Sequence, residues 1–185
     1  LAGGLDPARA VVIEPQPSDE IVALSRKGIA LNPPAGAIGN IATVVLAVKP
    51  QVAADVLPDV AGLAGAETLV LSIMAGKTLA FLQAGVPGAA IVRAMPNTPA
   101  AIGRGITVAV PNAHVSQDQR TLADTLLRAV GAVEWVNDEA LIDAVTAVSG
   151  SGPAYVFLLA ESLARAGAAA GLSGTRNGVE APQFA

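Results

Sequence analysis

Thiol chemistry is excluded from the outset, because the chain has no Cys and therefore no disulfide, thiolate metal site or Cys nucleophile. It has one His, His114, in the loop-like run Pro111-Asn112-Ala113-His114. No nucleophile motif surrounds it, and it reads as a surface residue. One His cannot build the usual transition-metal cluster, and although carboxylates alone can hold Mg²⁺, no metal is expected. No G-x-S-x-G elbow occurs. The remaining polar groups gather where apolar runs end: Glu14-Pro15, Val48-Lys49-Pro50, Ile73-Met74-Ala75-Gly76, and Arg93-Ala94-Met95-Pro96-Asn97-Thr98-Pro99. Each is bounded by Gly or Pro, which leaves backbone groups open to a ligand.

Each of these residues has a functional and an ordinary reading. Glu14 at a strand end can accept hydrogen bonds from the ribose hydroxyls of a dinucleotide and would disfavour a 2′-phosphate; equally, it is a solvated carboxylate. Ser18 nearby could still receive a phosphate. Lys49 either reaches a cofactor ribose or is simply exposed. In Ser149-Gly150-Ser151-Gly152-Pro153, Pro153 suits a first helical turn and Ser151 is placed to cap it. That terminus is either a carboxylate site or a kink between two core helices. The fingerprint G-x-G-x-x-G is missing; Gly150-Ser151-Gly152 and Gly103-Arg104-Gly105 are too short to replace it.

The elements that must position these groups alternate in type. Strands are expected at 10–14, 28–31, 43–48, 68–73 and 89–93, with helices at 18–27, from Pro50 towards Leu63 with a break at Pro58, and at 78–84. The all-apolar run Thr43 to Val48 is what a parallel strand covered on both faces requires. This rhythm predicts an α/β fold with a doubly wound parallel sheet, in which ligands bind outside the carboxyl ends of the strands. A strand at 105–110, a helix at 116–130 and a strand at 133–136 follow. From Asp138 onward the pattern is helical, over 139–148 and 153–171. There Ala160, Ala164 and Ala168 form a small-residue stripe, either an internal packing face or a subunit interface.

Composition narrows the field further. The chain has 185 residues, 52% hydrophobic and 14% charged, with a net charge of −4. A disordered chain is excluded, and the acidic balance without a basic run argues against nucleic acid or an anionic membrane surface. Gly28–Val48 is uncharged and long enough to span a bilayer, but its Asn, Pro and Gly residues forbid a plain spanning helix. Ala144–Ala160 is shorter and is interrupted by Ser149 to Pro153. No signal-peptide layout opens the chain, so a cytoplasmic protein is expected.

Four segments, taken together, resemble pyrroline-5-carboxylate reductases. They are Val45-Leu46-Ala47-Val48-Lys49-Pro50-Gln51; Ser72-Ile73-Met74-Ala75-Gly76; Arg93-Ala94-Met95-Pro96-Asn97-Thr98-Pro99-Ala100; and Asp143 through Tyr155, which contains Ser149-Gly150-Ser151-Gly152-Pro153-Ala154-Tyr155. The resemblance covers roughly residues 5 to 172. It implies a Rossmann-type doubly wound parallel sheet followed by an all-α dimerisation domain: a dinucleotide-binding unit over 1–137, without its first strand and glycine loop, and a partial helical dimerisation and substrate unit over 138–185. It also implies reduction of a cyclic imine acid to L-proline by NADPH or NADH, in a homodimer or higher homo-oligomer. By match, Glu14, Ala47, Val48, Lys49, Pro50, Ala75 and Asn97 belong to the cofactor side, and Glu139, Ser151 and Asn97 are the catalytic candidates. A protonated imine is already electrophilic, so holding a hydride donor against it is most of the work.

The chain departs from the family in three places. It lacks the glycine-rich loop, it has Pro33-Pro34 where the family often has an Asn, and after Leu172 it shows no S-P-G-G-T-T substrate loop. Two rivals remain. One is a β-hydroxyacid-type reductase, which the absence of any Lys after Lys77 opposes. The other is a dimerising protein without catalysis.

Overall fold

The computed structural model describes residues 4–172. The segment from 173, where the substrate loop finds no match, lies outside the described residues. Strands β1 (Val11–Val12) and β2 (Ala30–Leu31) pair in parallel as a small separate sheet, joined by helix α1 (Asp19–Ser25). Ser18 caps α1, at the start of the helix expected over 18–27, its hydroxyl accepting from the Ile21 amide at 3.4 Å.

The main sheet has five strands in sequence order: β3 (Thr43–Leu46), β4 (Leu69–Ser72), β5 (Ala90–Met95), β6 (Gly105–Pro111) and β7 (Gly131–Trp135). β3, β4 and β5 run parallel, linked by α2 (Ala53–Leu63) and α3 (Leu79–Gly85). β6 is antiparallel to β5, and α4 (Gln117–Arg128) then returns the chain to β7, parallel to β6. The one antiparallel step departs from an all-parallel sheet, and its cause is length. Only residues 96–104 join β5 to β6, too few for a crossover of about a dozen residues or more.

Pro58 lies inside α2 without breaking it. A proline there removes one bond to the carbonyl of Ala54. Both residues are exposed, so water can satisfy that carbonyl and the helix continues.

The sheet is covered on both sides at its centre; at the edge strand β3 Val45 is 51% exposed, so the double burial expected of 43–48 does not hold there. Val70, Ile91 and Leu46 pack with Leu57, Val60, Leu79 and Leu82 of α2 and α3 and with Ile142. On the opposite face Leu69, Leu71, Val92 and Ala94 pack with Ala123 and Leu127 of α4. This double burial is why β4 reads apolar at every position but its last.

After β7 comes α5 (Leu141–Val145), a π-helical turn (Thr146–Gly150) and α6 (Gly152–Ala169). Leu141–Ala169 is one helix of 29 residues, long and apolar enough to cross a membrane by length and composition. The interruption expected at Ser149–Pro153 is therefore absent; the chain absorbs it as a π-turn.

Candidate active site

Three parallel strands end side by side. Leu46 pairs with Ser72, and Ser72 with Arg93. With strands about 4.8 Å apart, the exits of β3 and β5 are roughly 10 Å from one another. Ala47-Val48-Lys49-Pro50, Ile73 to Gly76, and Pro96-Asn97 therefore leave along one edge of the sheet. Ala47, Lys49, Ala75 and Gly76 are exposed and Val48 and Pro50 half-buried. The turn after β4 relies on Gly76, whose φ of +69° favours glycine. Thr78 then caps α3 through a 3.2 Å bond from the Phe81 amide, and Lys77 lies 4.5 Å from the Phe81 ring centroid.

Asn97 joins two elements. Its Oδ1 accepts from the Ile106 amide of β6 at 2.9 Å, and its Nδ2 donates to the Ser149 hydroxyl of the π-turn at 3.3 Å. The sheet edge thus meets the helical segment at Asn97.

Ser151 does not cap a helix. Its backbone is already helical, its amide donates to the Thr146 carbonyl at 2.9 Å and its hydroxyl to the same carbonyl at 3.1 Å. No free helix start exists at this point, because α5 and α6 are continuous through the π-turn. The carboxylate site expected from an open terminus is therefore missing, while the Ser149 hydroxyl remains at the sheet edge through its bond from Asn97.

Glu139, expected to face substrate, spends Oε1 on the protein. That oxygen accepts from Arg93 Nη1 at 2.6 Å and from the Leu79 amide at 2.7 Å.

Glu14 follows β1 by two residues. Its amide donates to Asn32 Oδ1 and its carbonyl accepts from Asn32 Nδ2, both at 2.8 Å, and its carboxylate accepts from the Gln16 amide at 3.0 Å. Among the described residues no ladder joins β1 and β2 to the main sheet.

Reading the sequence missed three polar residues. Arg93 is 4% exposed and Asn112 9%. Asn112 bridges β5 and β6, accepting from Ile91 and donating to Ala89. Asp124 accepts from Trp135 Nε1 at 3.0 Å and from Arg128 at 2.6 Å, and both bonds hold its carboxyl below the ordinary carboxylate range. Arg93 and Asn112 carried no spacing signal, since their partners lie on other elements; Asp124 and Arg128 stand four residues apart on α4, a readable ion-pair spacing, while the bond from Trp135 was not legible. His114 is exposed, and among the described residues no cluster of three or more His, Cys, Asp or Glu exists.

Against this geometry, residues 139–176 match the family model for pyrroline-5-carboxylate reductase dimerisation. A pyrroline-5-carboxylate reductase from Synechocystis is 45% identical over 167 residues, 90% of this chain and 62% of the relative. One from Coxiella burnetii of known structure superposes with a TM-score of 0.82 at 35% identity, over 94% of this chain and 65% of that one. The Plasmodium falciparum pyrroline carboxylate reductase, solved with NADP bound, gives 0.80 at 27% identity, over 94% and 63%. The chain thus spans a little over three fifths of the length of these relatives.

Proposed function

We infer, from the likeness of this chain to pyrroline-5-carboxylate reductases, that the protein reduces the C=N bond of 1-pyrroline-5-carboxylate to L-proline with NAD(P)H. The observation that carries this reading is the single edge formed by the exits of β3, β4 and β5, with Asn97 tying it to the helical segment.

That edge fits a dinucleotide. Ala47, Ala75 and Gly76 are exposed and small or lack side chains, so a flat ligand can approach the backbone. Ala47, Val48, Lys49, Pro50 and Ala75 would hold it, with Asn97 at the nicotinamide end and Glu14 on the adenosine ribose. When bound, the coenzyme supplies a hydride. The chain supplies position: a rigid sheet edge on one side and the Ser149 and Ser151 hydroxyls on the other. The likeness to a relative solved with NADP supports a nicotinamide cofactor, NADPH or NADH.

The chain divides by this reading into a dinucleotide-binding unit over 1–137 and a helical unit over 138–185. The protein is a cytoplasmic homo-oligomer, with neither nucleic acid nor membrane as partner. The match to a dimerisation family over 139–176 supports a second copy as the cover for α6. The full-length protein is expected to oxidise NAD(P)H in proportion to added 1-pyrroline-5-carboxylate and to release proline. No turnover with either coenzyme would overturn the reading.

A further inference from the structure

Beneath the candidate site lies a buried charge for which hydride transfer has no direct use. Arg93 is 4% exposed. An unpaired guanidinium there would be costly, and Glu139 is the group that answers it. The same oxygen of Glu139 takes the Leu79 amide. One carboxylate thus gathers β5, the start of α3 and the chain just ahead of α5.

Alternate residues along a strand share a face, and at the end of β5 that face meets the helical segment repeatedly. Arg93 pairs with Glu139 at 2.6 Å. A Cβ on Gly150 would lie 3.0 Å from the Met95 side chain. Asn97 donates to Ser149 at 3.3 Å. Residues 93, 95 and 97 therefore all touch the stretch 139–150. Ile142, fully buried, locks the same stretch into the core. Apolar contacts alone would let this face slide, whereas the charged pair is directional and fixes register.

We propose that Arg93 and Glu139 are positioning residues: their ion pair docks the helical segment on the end of β5 and thereby holds Asn97 against Ser149. This rests on the reductase reading above, in that the geometry so held is that of hydride transfer. Glu139 then acts through Arg93 and does not touch the substrate.

The test uses the full-length protein with Glu139→Gln, Arg93→Met and both together. Each single variant is expected to lower kcat by about 10-fold or more, as a displacement of roughly 1 Å can, with KM for NAD(P)H nearly unchanged. The double variant is expected to be no worse than the poorer single one. Amide hydrogen exchange supplies a readout that needs no turnover. Exchange at Ile106, whose N–H is held by Asn97, should rise in each variant. If Arg93→Met does not fold, Arg93→Lys replaces it with the same expectations. Multiplying losses would show two independent roles and overturn the proposal, as would unchanged exchange at Ile106. A wild-type protein with no turnover would sink the reductase reading, and the exchange at Ile106 would still decide the docking.

Discussion

Glu14 lies two residues past β1 and is held there by hydrogen bonds. Asn32, at φ +47°, brackets its backbone from both sides, and the Gln16 amide orients its carboxylate. Such an acid favours ribose hydroxyls and repels a 2′-phosphate. Glu14→Ser is therefore expected to shift the ratio of kcat/KM for NADPH over NADH upward by about 10-fold, since each 1.4 kcal/mol of relieved repulsion is worth that factor. Steady-state kinetics with both coenzymes would check it; an unchanged ratio would remove Glu14 from the ribose site. Asp124 makes a prediction of a different kind. Its folded pKa is depressed first by the bond from Arg128 and then by that from Trp135. A depressed carboxylate contributes stability that is present above its unfolded pKa of ~3.9 and is lost as pH falls through the folded value. The Tm advantage of wild type over Asp124→Ala should be full at neutral pH and shrink only under strongly acid conditions. An advantage that grew on acidification would contradict the assigned bonds. The strand-end residues were legible because parallel strands must exit together. Arg93 and Asn112 were not, because each is a polar residue in an apolar run whose partner lies on another element, at sequence separations of 46 and 21.

At the scale of elements, most strands and helices were legible from their apolar periods, and Ser18, Thr78 and Ser116 prove to be the N-caps at three of the expected helix starts. What escaped was the joining of elements. Pro58 and the Ser149–Pro153 run signal breaks locally, but exposure of the freed carbonyl in one case and a π-turn in the other keep the helices whole. Ser151 was misjudged as a cap for the same reason. Where β6 and β7 begin, the backbone itself sets the rule. Gly105 and Gly131 are register partners, and a Cβ on Gly131 would strike the backbone of Gly105. Gly131 also adopts φ +146°. Gly131→Ala should therefore cost at least about 1–3 kcal/mol from conformation alone, with the clash added. A denaturant midpoint within error of wild type would refute that. Gly152, at the start of α6, has open space where its Cβ would point, so Gly152→Ala serves as the neutral comparison.

For the whole molecule, the decisive fact is that α6 has no buried residue although it is apolar nearly all round. Val148, Tyr155, Val156, Leu158, Leu159 and Leu163 are each 58–76% exposed. A helix of that kind is normally buried, and covering each such side chain is worth about 1.5–3 kcal/mol. A bilayer and a second copy of the chain both satisfy the apolar demand. The Glu161–Arg165 ion pair and the Thr146 and Ser149 hydroxyls of the π-turn on the same helix favour protein over lipid, as does the dimerisation family match over 139–176. The stripe of Ala160, Ala164 and Ala168 would let a partner helix approach closely. Leu159→Glu in the full-length protein should then convert the oligomer into a monomer by light scattering on a sizing column, because two buried like charges would face one another across a symmetric interface. Turnover should fall with it if the second copy also steadies the π-turn beside Asn97, whereas the NAD(P)H binding proposed at the sheet edge should persist. An unchanged mass for this variant would mean that α6 is covered by something other than its own copy.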